Sequence, residues 1–251
     1  MVPSSALAGA WTLPQGTGQW AVGALMTTST QYFDQNWGLA STPRYNKVEV
    51  GALVEYGLTD QLTGIFSPQL QHVDIAPPTS AERTGLGYTE FGARYAFYTD
   101  PTWVVSGQAT LRVPGTDQTS NPAAIGYTDL ESDFRALLGH NFKIGDLPAF
   151  FDVEAAERWR TAGAPSEARF DGTLGVKIFP QWMILAQSFN VFSEGSGIAL
   201  YGGSYEYFKA QLSVLYTLAP TWQLQAGGVS TYAGRNALQE NGVIFGLWHQ
   251  F

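Results

Sequence analysis

Residues 47–58 have the sequence KVEVGALVEYGL, in which apolar and polar residues alternate with a period of two. Val48 and Val54 fall on one face of this segment, whereas Glu49 and Glu55 fall on the other. Because successive side chains of a β-strand point to opposite sides, this period predicts a strand with one apolar and one polar face.

The same alternation recurs in residues 88–97, 129–142 and 167–178. The connections alternate between short turns rich in Pro and Asp, which favour type I turns, and long loops rich in Gly, Pro, Ser and Asn. Five short turns and six long loops make eleven connections and therefore predict twelve strands. The approximate spans are 18–32, 45–58, 62–76, 86–98, 103–113, 127–144, 149–160, 167–179, 182–193, 204–218, 222–233 and 241–251.

The composition limits the function classes. Charged residues make up 14% of the chain, against roughly 25% in soluble domains. The formal net charge of −8 argues against nucleic acid as a partner, because phosphate-binding surfaces are basic. The chain has no cysteine, which excludes a disulfide scaffold and a thiolate metal site.

The distribution of aromatic residues decides which face points outward. If the charged face formed the exterior of a soluble barrel, the chain would have too few charges to cover it. Trp103 and Trp222 follow short turns, whereas Tyr32, Trp159 and Tyr232 adjoin long loops, as expected of aromatic belts at two membrane interfaces. We therefore predict an all-β, twelve-stranded antiparallel up-and-down transmembrane β-barrel with its charged face inside.

One residue departs from the predicted alternation. Glu157 follows the apolar phase of Phe151 and Val153, where a charge facing lipid is costly. Exposure at the membrane interface, or a bulge at Ala155–Ala156, would account for it.

Both ends of the chain resemble known outer-membrane proteins. The last strand alternates apolar residues and ends in Phe251, which resembles the C-terminal signal of Gram-negative outer-membrane β-barrels, although His249 departs from the aromatic residue often found there. The resemblance implies outer-membrane lipid and the barrel-assembly machinery as partners. Residues 11–18, WTLPQGTG, resemble uncharacterised outer-membrane transporter-like proteins grouped with aromatic-degradation pathways.

The chain divides into an N-terminal segment, residues 1–17, and a barrel, residues 18–251. Ala6 and Ala8 fit the small-x-small pattern of a signal-peptide cleavage site, so the segment contains a residual export signal, with a flexible terminus as the alternative. The uncharged segment could also fold into the lumen as a short plug, for which residues 11–18 are the best candidate.

The polar phase of the strands predicts the side chains that line the lumen. Twelve strands give a backbone diameter of roughly 24 Å, so side chains decide how much of the bore stays open. Acids and bases are nearly balanced, and Arg135 is expected to pair with Asp152 or Glu154. The predicted lumen-lining residues are Lys47, Glu49, Glu55, Glu90, Arg94, Arg112, Arg135, Asp152, Glu154, Arg158, Arg169, Asp171, Lys177 and Lys209.

The function predicted from this lumen is an outer-membrane channel or diffusion facilitator for a small solute. Two alternatives stay open: a closed structural barrel that acts as a membrane partner or scaffold in a complex, and an outer-membrane hydrolase. No catalytic motif surrounds His72 or His140, so neither an enzyme nor a cofactor is predicted.

Two local groups of residues suggest further hypotheses. Asp129, Glu131 and Asp133 could bind calcium through carboxylate oxygens, could act with His72 as in an omptin-like protease, or could form a rim balanced by Arg135. Tyr201, Tyr205 and Tyr207 adjoin a glycine-rich loop and could stack aromatic or sugar solutes, or belong to the interface belt.

Overall fold

The alternating segments form long antiparallel strands in the computed structural model, which describes residues 9–197 and 203–251. Within these residues, no helix is long and apolar enough to span a membrane. The strands are β1 (Gly18–Phe33), β2 (Leu39–Thr59), β3 (Leu62–Ile75), β4 (Ala81–Thr99), β5 (Trp103–Val113), β6 (Glu131–Ile144), β7 (Leu147–Arg160), β8 (Glu167–Phe179), β9 (Trp182–Ser193), β10 (Glu206–Ala219), β11 (Trp222–Arg235), β12 (Ala237–Leu238) and β13 (Asn241–Gln250).

Twelve of these strands close into a barrel, which confirms the predicted fold. Each long strand pairs antiparallel with the next along the chain, and β13 pairs with both β11 and β1. Trp20 of β1 lies opposite His249 of β13 and opposite Val54 of β2. The closure leaves no open sheet edge among these strands, which is what a strand structure in lipid requires. The two-residue β12 pairs with the far end of β1 and was not predicted.

The predicted strand boundaries agree with the structure best at the short-turn end of the barrel. The spans of β8 and β9 are the predicted ones, 167–179 and 182–193, whereas β2 and β4 begin six and five residues earlier than predicted, at Leu39 and Ala81. These extra residues lie at the long-loop end of the barrel. Beyond the lipid, both faces of a strand meet water or loops, so the period-two signal weakens while the pairing continues.

Burial alternates along the strands, because one face of each strand points outward from the barrel and the other points into its lumen. Outward residues such as Phe170 and Leu212 are more than half exposed, at 52% and 62%. Inward residues such as Asp133 and Asp152 are each 1% exposed. An apolar exterior around a polar interior is the reverse of a soluble barrel and the normal arrangement in an outer membrane.

Aromatic residues gather at both ends of the barrel. At the short-turn end, the ring of Trp103 stacks on His140 with centroids 3.8 Å apart, and Trp222 stacks on His249 at 4.2 Å. The start of β1 and the C-terminal residue both lie at this end, because Gly18 and Phe251 exchange backbone hydrogen bonds. Short turns face the periplasm in this architecture, which places the start of β1 and Phe251 there.

The turn between β4 and β5 is held by an acid. Asp100 accepts hydrogen bonds from the Tyr98 hydroxyl at 2.7 Å and from the backbone N–H groups of Thr102 and Trp103 at 2.7 and 2.8 Å. These bonds hold the pKa of Asp100 well below its usual range.

The bulge proposed to explain Glu157 is wrong. The register of β7 with β6 and β8 runs without a shift through Ala155 and Ala156. Glu157 therefore stays on the outward phase beside Trp159, near the long-loop end of the barrel. Exposure at the interface is the explanation that remains.

Candidate functional site

The segment that precedes β1 runs inside the periplasmic end of the barrel. The N–H of Ala10 donates a hydrogen bond to Asp152 Oδ2 at 2.8 Å, and the Ser106 hydroxyl donates to the Ala10 carbonyl at 2.7 Å. Arg94 Nη1 donates to the carbonyl of Trp11 at 2.9 Å. Side chains of the wall thus satisfy the backbone of the segment in the way that a neighbouring strand would.

The side chain of Trp11 is surrounded by inward-facing apolar residues, which we call the apolar collar. Its ring meets that of Phe150 edge-on, with centroids 5.8 Å apart. It also lies against Gly139, where a Cβ atom would come within 2.5 Å of the indole. The apolar collar consists of Ala96, Val104, Leu137, Phe150, Leu185 and Leu215. One indole therefore packs against two apolar clusters, whose members in the wall come from six strands of the barrel.

The segment leaves the lumen across the turn between β2 and β3. The N–H of Leu13 donates to Thr63 Oγ1 at 2.8 Å, and the N–H of Gln15 donates to Asp60 Oδ1 at 2.9 Å. At Gly57 a Cβ atom would lie 2.1 Å from the Pro14 carbonyl oxygen, so a glycine is needed where the two backbones cross.

From mid-barrel outward, the lumen is lined by a dense set of ion pairs, the arginine network. Arg135 contacts Asp133 at 2.7 Å, Glu154 at 2.6 Å and Asp171 at 2.9 Å, which ties together β6, β7 and β8. The expected pair of Arg135 with Glu154 is thus formed. The members are Glu90, Arg112, Glu131, Asp133, Arg135, Glu154, Arg158, Arg160, Glu167, Arg169 and Asp171.

The remaining predicted lumen residues occupy other parts of the inner wall. Glu55 forms a 2.9 Å ion pair with Arg94, next to the N-terminal segment. Lys177 lies on the inward phase of β8 near the short turns. Lys47 of β2 contacts Glu49 at 3.5 Å.

Lys47 and Lys209 share a partner that was not predicted. Glu240, in the loop between β12 and β13, contacts Lys209 and lies 3.9 Å from Lys47. It also accepts a hydrogen bond from the Thr27 hydroxyl at 3.1 Å. Burial raises the pKa of Glu240, but the two ammonium groups outweigh it and lower the pKa to about 2. Sequence reasoning missed Glu240 because it lies in a segment assigned to a long loop.

Two members of the arginine network were also missed, although the sequence contained a signal for them. Arg160 lies two residues beyond Arg158, and Glu167 lies two residues before Arg169. One more period-two step at the end of each strand would have placed both side chains on the inward face. Arg160 contacts Glu131 at 2.8 Å and Glu167 at 3.3 Å.

The acidic triplet, which is Asp129, Glu131 and Asp133, does not form a metal site in the part of the chain that the structure describes. Two of its carboxylates form ion pairs with arginines. Arg160 and Arg112 contact Glu131, and Arg135 and Arg158 contact Asp133. Asp129 stays in the preceding loop, where its side chain bonds Thr128. The calcium hypothesis is therefore not supported, because guanidinium groups occupy the positions that a cation would need.

The histidines do not join these carboxylates. His72 lies on the outward phase of β3, with Nδ1 2.7 Å from Thr84 Oγ1, whereas Asp133 points inward and is buried. An omptin-like combination of His72 with the acidic triplet is not assembled. His140 stacks on Trp103 outside the barrel.

The tyrosines near the long loop have different roles. The Tyr205 hydroxyl donates to Glu167 at 2.6 Å and joins the arginine network. Tyr207 lies beneath the ammonium group of Lys209, 5.2 Å from the ring centroid. Tyr201 lies outside the described residues.

Comparisons with known proteins agree on the architecture. No family model matches the sequence, and no curated protein is similar to it. An outer-membrane channel from Pseudomonas putida F1 has a TM-score of 0.74 at 15% identity, covering 96% of this chain and 98% of that one. The β domain of the Bordetella autotransporter BrkA has a TM-score of 0.60 at 12% identity, over 94% and 99%. The NanC porin has a TM-score of 0.56 at 9% identity, over 90% and 98%.

The fold, the apolar exterior and these neighbours define the class of the protein. It has the fold of the twelve-stranded β-barrels of Gram-negative outer membranes and the apolar exterior of a membrane-spanning barrel. Among the neighbours of this architecture are outer-membrane channels and porins.

Proposed function

We propose that the protein is a narrow outer-membrane channel, or diffusion facilitator, for a small solute. The observation that carries the proposal is what fills the periplasmic half of the lumen. A twelve-stranded wall leaves a bore of roughly 10–14 Å once side chains are subtracted. Here a peptide segment enters that bore and is held by hydrogen bonds to Asp152, Ser106 and Arg94. Only non-covalent contacts hold residues 10 and 11 against the wall, so their displacement would widen the passage without breaking the pairing of the strands.

The arginine network supports passage of a polar solute from the outer side. Its side chains point inward and carry both signs of charge, so a solute with hydroxyl or charged groups would exchange water for hydrogen-bonding partners. The mixed charge favours weak ion selectivity. The likeness of the fold to an outer-membrane channel adds support at the level of architecture.

The N-terminal segment acts in this proposal as a plug. Trp11, enclosed by the apolar collar, narrows the passage, and the barrel conducts through the space beside the segment or after its displacement. The test is single-channel recording and liposome swelling with the purified protein and with a variant that lacks residues 1–13. We expect the variant to show the larger conductance and the faster entry of small sugars.

A closed structural barrel is the second candidate. The observation that favours it is the complete pairing of residues such as Arg135, whose guanidinium contacts three carboxylates. The same recordings separate the two candidates, since a scaffold would stay non-conducting even after residues 1–13 are removed. Co-purification of a stable partner from native outer membranes would then support the scaffold.

We assign no enzymatic activity to the protein in this proposal. His140 and His249 lie among aromatic rings at the periplasmic interface, and His72 faces outward. None of these side chains adjoins the lumen acids, and a hydrolytic site needs a base held beside its nucleophile.

The C-terminal strand is proposed to be the signal for the barrel-assembly machinery. Phe251 exchanges backbone hydrogen bonds with Gly18 at 2.7 and 2.9 Å, which places it at the seam where the barrel closes, and its side chain is 55% exposed. We expect Phe251→Ala to reduce the fraction that reaches the folded, heat-modifiable form in cells. Unchanged assembly would remove this role.

A further inference from the structure

Two carboxylates converge on the beginning of the described chain. A Cβ atom at Gly9 would lie 2.2 Å from Glu154 Oε1 and 3.3 Å from Asp152 Oδ1. Asp152 is only 1% exposed. A carboxylate buried to this degree is strongly destabilising unless a cation or several hydrogen bonds compensate it.

The charges around these two acids do not balance within the described residues. Glu154 shares the guanidinium of Arg135 with Asp133 and Asp171. Arg94 forms its ion pair with Glu55. Asp152 makes no ion pair in the part of the chain that the structure describes; it accepts a hydrogen bond from the backbone N–H of Ala10 and shares another with Glu154. The repulsion between these two neighbouring acids is relieved either by a proton that they share or by a cation next to Gly9.

The sequence supplies a way to place a positive charge there. Ala6, Leu7 and Ala8 immediately precede Gly9 and match the small-x-small pattern of a signal-peptidase site. Hydrolysis of the Ala8–Gly9 peptide bond consumes one water, leaves a carboxylate on Ala8 and creates an α-ammonium group on Gly9. An uncut chain has a neutral amide at the same nitrogen.

We propose that the mature chain begins at Gly9 and that its α-ammonium group forms a buried ion pair with Asp152 and Glu154 inside the lumen. The ion pair would fix the free end of the N-terminal segment to β7, and only a processed chain would have it. The contact with Glu154 also suits a glycine at position 9, because an added Cβ atom would make the Glu154 carboxylate shift. The proposal does not depend on whether a solute passes through the barrel.

The first test is the N-terminus of the protein recovered from the outer membranes of the bacterium that produces it. Intact mass and the N-terminal peptide should show a chain that starts at Gly9. A mature chain that starts at any other residue would overturn the proposal.

The second test measures the charge state of that terminus. An amine-reactive acetylating reagent is applied to the folded protein at pH 8, where a free α-amine is roughly half deprotonated. Labelling of the Gly9 amine is compared by mass spectrometry with that of the exposed Lys143. We expect Gly9 labelling to rise at least tenfold, relative to Lys143, when Asp152→Asn and Glu154→Gln are combined, because the amine loses both carboxylates.

Two further variants keep this test decisive. Glu157→Gln removes an acid from the outward face of β7 and should leave the labelling of Gly9 unchanged. Gly9→Ala keeps a small residue at the cleavage site and adds a Cβ atom that makes the Glu154 carboxylate shift, so it should be processed normally and should label at a rate between those of the parent and the double variant. Equal labelling in the parent and the double variant would overturn the ion pair.

Discussion

The indole of Trp11 lies so close to Gly139 that a Cβ atom at position 139 would come within 2.5 Å of ring carbon Cη2. Gly139 faces inward from β6 between Leu137 and the short turns, and its missing side chain makes room for the ring. The N-terminal segment and the barrel wall are therefore complementary in shape, which can be tested from both sides of the contact.

The first prediction concerns Gly139, the residue of the barrel wall that contacts Trp11. Gly139→Val should displace Trp11, because the new Cβ and methyl groups would overlap the ring. We expect the displaced segment to leave the periplasmic half of the lumen and the single-channel conductance to rise severalfold. Gly172→Val on β8 is the matched control, since atoms there lie 3.8 Å or more from the added Cβ. Unchanged conductance and Trp fluorescence in Gly139→Val would argue against the contact.

The second prediction concerns the ring. Trp11→Ala removes the side chain that the apolar collar surrounds, and loss of a packed Trp costs roughly 3 kcal/mol. We expect the segment to be released for a larger share of the time, seen as a higher mean conductance and faster proteolysis near residue 11. Trp159→Ala, on the outward face and 56% exposed, should change neither measurement. If the conductance of Trp11→Ala did not rise above that of the parent, the segment would not control the passage.

Much of the fold could be predicted because the lipid imposes it residue by residue. Along β6, Phe134 must face lipid while Asp133 and Arg135 must not. Because of this constraint, apolar and polar residues alternate strictly along the strand. Twelve strands followed from counting such segments. The extended ends of β2 and β4 were missed because the constraint disappears beyond the membrane.

The interior was harder to predict, because no comparable rule governs it. Val104 and Leu215 are apolar on the inward phase, and each belongs to a cluster against which Trp11 packs. The hydrogen bond between Ala10 and Asp152 joins residues 142 positions apart, and its donor is a backbone group that any residue would offer. A polar strand face indicates a lumen, but it does not show which part of the chain enters it.

The third prediction concerns the arginine network. Arg135→Gln leaves the carboxylates of Asp133, Glu154 and Asp171 with less positive charge at mid-lumen. We expect the reversal potential in a salt gradient to shift towards cation selectivity, and the barrel to become less stable. Arg44→Gln changes the net charge equally at an exposed position on β2 and should leave the selectivity unchanged. The same selectivity in both variants would show that ions do not pass the network.

Neutralising Arg94, Arg135 and Arg158 together should enlarge that shift. These three residues contact the acids Glu55, Asp133 and Glu154 along the inner wall. Because the triple variant also frees the N-terminal segment from Arg94, its conductance should rise along with its cation selectivity. A shift in selectivity without a rise in conductance would separate the network from the plug.

The last prediction concerns Glu240, which joins the loop after β12 to Lys47 and Lys209. Its pKa is lowered from the usual 4.5 to about 2, so the ionised carboxylate stabilises the folded protein above about pH 4.5, and this contribution is lost as the pH falls towards 2. The shift corresponds to a free energy of unfolding on the order of 3 kcal/mol. Glu240→Gln should therefore lower the urea midpoint at pH 7, and the difference from the parent should vanish near pH 2. Asp117→Asn, in an exposed loop, should have little effect at either pH. If the urea midpoint of Glu240→Gln still lay below that of the parent at pH 2, Glu240 would stabilise the loop by packing rather than by its charge.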